Sequence, residues 1–209
     1  GISFAADISA YYRKDITLFN KNSELSFGAN FSNIGSKMSY SDSQTSSFIP
    51  INMRLGTAAS IDLDPYNRLT LTIDVNKLLV PTPPYYSTTV TDSIIAGKDP
   101  DVPVAVAIFQ SFYDAPNGFR EELHEITYSA GVEYWYDGQF ALRTGYYHEN
   151  ETKGNRKYFT AGAGFKLRGF TLDFSYLMPL VQNHPLARTL RFSLSFDISG
   201  LRPVPSSTT

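Results

Sequence analysis

The chain contains no cysteine. That absence fits an exported protein that avoids periplasmic oxidation, and it equally fits a cytosolic one. Charge of a dominant sign is also missing: 18 basic residues stand against 20 acidic ones, a formal net charge of −2. With no polyelectrolyte signal, nucleic acid is not an expected partner. No apolar run approaches the roughly 20 residues that a membrane-spanning helix requires. The longest candidate, residues 102–112, is too short and carries Pro103. No initiator Met or signal peptide precedes Gly1-Ile2-Ser3-Phe4, which already reads as mid-strand. The expectation is therefore a mature or cleaved piece of a longer chain. Tryptophan occurs once, against 14 Tyr and 15 Phe, so aromatic character rests on rings other than indole.

What is present is alternation with period two. Leu190, Phe192, Leu194, Phe196 and Ile198 fall on one face; Arg191, Ser193, Ser195 and Asp197 fall on the other. Leu69, Leu71, Ile73 and Val75 alternate with Thr70, Thr72, Asp74 and Asn76. The same pattern runs through residues 126–136 and 170–176, and less cleanly near 2–13, 23–35, 49–63, 139–148 and 157–167. It predicts nine strands, mostly ten or more residues long. Globular strands average about 5–6 residues, whereas a tilted membrane-crossing strand needs about 9–11.

Charge placement agrees with that reading. Asp7, Arg54, Asp62, Asp74, Glu125, Glu133, Arg143, Lys166, Asp173, Arg191 and Asp197 lie on the polar faces. The middles of the apolar faces carry none, where a charge would cost roughly 2–4 kcal/mol at the bilayer midplane. Small residues such as Ala59, Ala130, Ala161 and Ala163 break the apolar faces, and Tyr12, Tyr134, Tyr146 and Phe170 end them. Lipid tolerates such unevenness, and end aromatics suit interfacial girdles. The connections alternate too. Asp64-Pro65-Tyr66-Asn67, Asp137-Gly138 and Arg168-Gly169 read as tight turns; residues 36–48, 80–121, 149–156 and 178–187 read as long loops. Residues 14–22 read as one longer connection at the tight-turn end. The expected fold is all-β, a transmembrane antiparallel β-barrel. One domain would occupy residues 1–209, with tight turns in the periplasm and a long extracellular loop at 80–121.

Catalytic and metal signatures are missing. His124, His148 and His184 have no ligand spacing. No G-x-S-x-G elbow occurs, and no Ser-His-Asp set is suggested by spacing. No cofactor is implied. Gly162-Ala163-Gly164 lies inside a strand with no helix after it, so its glycines are expected to thin the inner wall or relieve curvature. The loop at 80–121 exceeds the about 12–15 residues beyond which loops are usually functional or disordered. In it Val104, Ile108 and Phe112 fit one face of a short helix.

Several stretches resemble the PorV family of outer-membrane proteins of the type IX secretion system. They are Ser32-Asn33-Ile34-Gly35-Ser36-Lys37-Met38-Ser39-Tyr40, residues 48–56, residues 71–84 and residues 112–166. The last runs through Asp114-Ala115-Pro116-Asn117-Gly118-Phe119 and Gly145-Tyr146-Tyr147-His148-Glu149-Asn150. The resemblance implies the nine C-terminal strands of a 14-stranded parent related to fatty-acid transporter barrels. It implies a bacterial outer-membrane location and a non-enzymatic role. That role is to bind the C-terminal signal domain of secreted cargo and shuttle it from the translocon to a surface attachment complex. Two alternatives stand beside it: a diffusion channel for hydrophobic solutes, and a lipid A deacylation factor.

With that role in view, Ile108, Phe109, Phe112 and Tyr113 become the expected cargo-binding residues, either as a cap on the barrel mouth or as a docking surface. Strand parity also carries Lys37, Lys77, Lys157 and Arg188 to the upper rim of the outward side. There they are expected to meet phosphates of lipopolysaccharide, at on the order of 1 kcal/mol each. Glu122 falls on the same rim with the wrong sign.

Overall fold

The computed structural model describes residues 2–38, 46–90, 92–167, 169–181 and 189–197. The strands are β1 (Ala5–Leu18), β2 (Lys21–Gly35), β3 (Asn52–Asp62), β4 (Asn67–Leu78), β5 (Tyr85–Tyr86), β6 (Ile94–Ala96), β7 (Ile126–Tyr136), β8 (Phe140–His148), β9 (Lys157–Leu167), β10 (Phe170–Pro179) and β11 (Leu190–Phe196). Two short helices, α1 (Val104–Gln110) and α2 (Phe119–His124), lie between β6 and β7.

Nine strands form one antiparallel sheet in the order β1-β2-β3-β4-β7-β8-β9-β10-β11. Each pairs with the next in sequence, except that β4 reaches β7 across the β5–β6 hairpin and the helices. This is the all-β meander that the alternation demands. It is barrel-like in strand order, but among the described residues β1 and β11 do not pair, so the sheet is open there.

Register makes the two faces continuous. Leu69, Tyr134, Leu142, Ala163, Phe174 and Phe192 sit side by side across six strands. One residue along, Thr70, Glu133, Arg143, Gly162, Ser175 and Arg191 form the matching row on the other face. Opposite faces follow from the pleat, because successive side chains point to opposite sides of a strand. Nothing among the described residues packs over most of the apolar face, and Phe192 is 72% exposed. The buried apolar residues are few: Ile51, Leu79, Ala107, Ala115 and Ala141. An uncovered apolar face this wide far exceeds the few hundred Å² usual on soluble monomers.

The tight turns explain themselves locally. Between β3 and β4, the Asp64 carboxylate accepts from the backbone N–H of Tyr66 (2.9 Å) and of Asn67 (3.0 Å), and Pro65 pre-sets the turn. These hydrogen bonds hold the Asp64 carboxyl below its ordinary pKa. Asp137 and Gly138 both adopt positive φ between β7 and β8. The expected longer connection at 14–22 is corrected. β1 runs on to Leu18, and only Phe19 and Asn20 separate it from β2. Both have positive φ, 51° and 59°, as a type I′ hairpin turn requires. No glycine marks that turn, and Phe is a rare occupant of the left-handed region.

Candidate functional site: a charged latch beneath a cap

Residues 79–125 leave the wall after β4 and return to it at β7. They form a cap over one end of the sheet. Seven hydrogen bonds fix it. Lys77, the second-last residue of β4, donates from Nζ to Glu122 Oε2 (3.1 Å) and to Glu125 Oε2 (2.7 Å). Lys153, from the loop after β8, donates to Glu121 Oε1 (2.6 Å) and Glu125 Oε1 (3.0 Å). The Thr82 hydroxyl donates to Glu125 Oε1 (2.6 Å), while the Thr82 N–H donates to Asp114 Oδ2 (3.1 Å). Glu122 Oε1 accepts from the Ala115 N–H (2.8 Å). Four carboxylates and two ammonium groups thus tie β4, the chain at Thr82 and at Asp114–Ala115, α2 and the 149–156 loop together.

The electrostatics follow from burial. Desolvation works against ionised Glu125, yet hydrogen bonds from Lys77, Thr82 and Lys153 outweigh it and its pKa is lowered. Burial likewise opposes ionised Glu121, and Lys153 and Asn117 outweigh it. For Lys153, desolvation opposes the charge and the two glutamates restore it, leaving its pKa raised. Asp114 differs. Burial raises its pKa, the Thr82 N–H only partly compensates, and the charges of Glu122 and Glu125 raise it further. Its Oδ1 has no hydrogen-bond partner among the described residues.

The local sequence explains the helices. Gly118 at φ 71° turns the chain into α2, and Glu121 and Glu122 occupy its first turn, where acidic groups suit the helix dipole. α1 packs through Ala107, Gln110 and the following Ser111; the Gln110 side chain donates to Asp99 O (2.8 Å). The packed face is therefore not the expected Val104–Ile108–Phe112 stripe, because the helix ends at Gln110 and Phe112 lies beyond it. Of the expected docking residues, Ile108 is half-buried, Phe109 is 70% exposed, and Phe112 and Tyr113 are exposed. Lys98 Nζ lies 3.8 Å from the centre of the Tyr113 ring. α2 gave little periodic signal, since six residues with a buried Glu122 offer only the Phe119–Leu123 pair.

Each described rim lysine is paired with a carboxylate. Lys77 is 3% exposed and doubly paired, which corrects its assignment as a lipid-phosphate contact: α2 folds back over it. Glu122, the residue of the wrong sign, is its partner. Lys37 pairs with Asp101 (2.8 Å) and stands 4.5 Å from the Phe48 ring centre. Lys157 pairs with Glu151 (2.8 Å). These hydrogen bonds hold the Asp101 and Glu151 carboxyls below their ordinary pKa. Arg188 and His184 lie outside the described residues. His124 ends α2, and His148 Nδ1 lies 3.1 Å from the Tyr146 hydroxyl. Among the described residues no three His, Cys, Asp or Glu side chains are grouped to hold a metal.

A second cluster lies on the polar wall. Arg143 of β8 donates to Glu133 of β7 (2.5 Å) and, across β9, to Asp173 of β10. Trp135 Nε1 donates to the same Glu133 (2.7 Å). The reach across β9 depends on glycine. A Cβ on Gly164 would lie 2.6 Å from Asp173 Oδ1 and 2.8 Å from Arg143 Nη1. At Gly162, the other glycine of β9, a Cβ would lie 2.9 Å from Phe174 O.

Comparison with known families bears on the first part of this architecture. Residues 1–85 match the family model described as type IX secretion system protein PorV. That stretch is similar to the PorV family. The family is one of type IX secretion system components. The match covers β1 to β4 and ends at Tyr85, the first residue of β5; the rest of the cap and β7–β11 lie beyond it. No curated protein matches the chain.

Proposed function

We propose that the chain is a non-enzymatic, outer-membrane component of the type IX secretion system, with the wall crossing the membrane and the cap outside it. On this reading the cap meets the C-terminal signal domain of secreted cargo and the protein carries cargo from the translocon to a surface attachment complex. The observation that supports it most is the combination of a wide, uncovered apolar face with PorV-like sequence over β1–β4 of the same sheet. Lipid is the medium that such a face fits. The cap supplies what a docking site needs: Phe109 and Tyr113 exposed on a segment that buried ion pairs hold in place. Aromatic anchors on a rigid support are the usual energetic centre of protein interfaces. The polar wall, crossed by Arg143 and its carboxylate partners, is a poor path for hydrophobic solutes.

The test is recovery of cargo with the protein from outer membranes, read by mass spectrometry. Replacing Phe109 and Tyr113, both exposed, by serine should reduce cargo recovery while the barrel still folds. Full recovery from that variant would remove the cap as the docking site. Absence of any secreted protein from the wild-type sample would remove the shuttle reading itself.

A further inference from the structure

The cap does not merely cover the end of the sheet; part of it descends over the outward face. Met53, Lys77 and Ile126 are register partners and form the uppermost described row of that face across β3, β4 and β7. Val75 lies one row below and continues the series Leu69, Leu71, Ile73. Against these residues α2 leaves an apolar groove of about 120 Å³, walled on the cap side by Phe112, Phe119 and Leu123. Phe119 is 75% exposed, and Phe112 and Leu123 are exposed as well. Cap residues thus carry the apolar character of the wall upward without a break.

The charges in the groove decide what it can hold. Its two ionic groups, Lys77 and Glu122, are bonded to each other and buried. Such a groove has nothing to offer a phosphate, a carboxylate or an acidic peptide. An uncharged, flexible, apolar rod fits it. We infer that the groove between α2 and the top of β3, β4 and β7 takes an acyl chain of the surrounding membrane. α2 is then an interfacial helix, with Phe119 and Leu123 in the lipid and Lys77 neutralised so that it can sit at that depth. The inference rests on the reading of the wall as membrane-spanning, and it separates two parts of the cap. Phe109 and Tyr113 remain available to a protein partner, while Phe112, Phe119 and Leu123 anchor the cap to lipid.

The single tryptophan makes a direct test possible. In a Trp135→Phe background, Phe119→Trp places the sole indole at the groove, and Phe174→Trp in a separate variant places it mid-wall on the apolar face. Leu123→Trp is a second groove probe should the first variant fold poorly. Each full chain is reconstituted into phosphatidylcholine vesicles with or without brominated acyl chains. The expected result is that F119W and L123W lose emission to bromine by the same factor as F174W. Quenching of F174W alone overturns the acyl-chain groove and leaves the membrane wall standing. A groove probe that is blue-shifted but unquenched means that protein covers it, another segment or a second copy, and also overturns the inference. If no probe is quenched, the membrane reading falls and this inference falls with it.

Discussion

The protein builds two ionic clusters with the same chemistry and opposite surroundings. On the polar wall, the Arg143, Glu133 and Asp173 side chains each keep about a third of their surface exposed. Under the cap, Lys77, Glu122 and Glu125 are almost sealed. Water screens the wall cluster, so its members are individually replaceable. The latch has no such reserve. Removing one partner there leaves a charge buried without compensation, and the resulting penalty exceeds what the pair itself contributes. The contrast assigns the two clusters different work: the wall cluster bridges strands that already pair, and the latch decides whether 47 residues of chain, 79–125, stay docked at all.

The largest expected effect is therefore at Lys77. Lys77→Met keeps the stem and removes the charge, leaving Glu122 and Glu125 facing each other under the cap. Docking of the cap should weaken by about 3–5 kcal/mol, the usual cost of breaking a buried pair from one side. Protease sensitivity within 79–125 should rise steeply while the strands keep their circular dichroism. The same change at Arg143 should cost about 1 kcal/mol or less and leave the cap protected. Equal protease resistance in the two variants would erase the distinction between the clusters.

A medium effect is expected at Gly164, where the wall cluster is constrained by space and not by burial. Gly164→Val places side-chain carbon where Arg143 and Asp173 now meet. Overpacking of this kind costs about 1–3 kcal/mol. The melting temperature of the wall should fall more than it does for Arg143→Met, and the double variant should fall no further than Gly164→Val with its bridge already lost. Additive losses would show that the glycine matters for something other than the bridge.

How much of this could be read in advance divides along the same line. The wall is legible because its pleat has period two whatever lies around it; Leu190, Phe192, Leu194 and Phe196 alternate with Arg191, Ser193 and Ser195 in the sequence and in the sheet. Parity even placed Lys77 on the outward side. What it could not supply is that a segment 45 residues further on, ending in Glu122, folds back to cover it. That is a tertiary contact between a strand end and a six-residue helix whose apolar side is a single pair, Phe119 and Leu123. The Phe19–Asn20 turn escaped for a local reason: β1 carries Lys14 and Asp15 into its end, and positive φ at a phenylalanine has no compositional marker. Of the docking residues, exposure of Phe109 and Tyr113 followed from their place in a loop, but the face on which α1 packs was decided by Ala107 and Ser111, small residues that carry little hydrophobic signal.

The smallest expected effect lies at Asp114, and it reverses the sign of the rest of the latch. Glu121 and Glu125 have lowered pKa values, so their contribution to docking is present above the ordinary glutamate value of 4.5 and is lost as pH falls through the lowered one. Asp114 has a raised pKa, so its contribution is complete below 3.8 and is lost as pH rises through the raised value. The charged groups that act on it most are Glu122 and Glu125, both negative, and its hydrogen bond comes from the Thr82 N–H. As pH falls, protonation of Asp114 should tighten the cap and protonation of the glutamates should loosen it. Asp114→Asn keeps an acceptor for the Thr82 N–H and fixes the neutral state. At neutral pH it should strengthen docking, because a neutral side chain no longer opposes Glu122 and Glu125. Its amide-exchange protection in 79–125 should stay flat with pH until the glutamates titrate. If the variant still gains protection on mild acidification, the proton is going elsewhere, and Asp114 is not the group that opposes the latch.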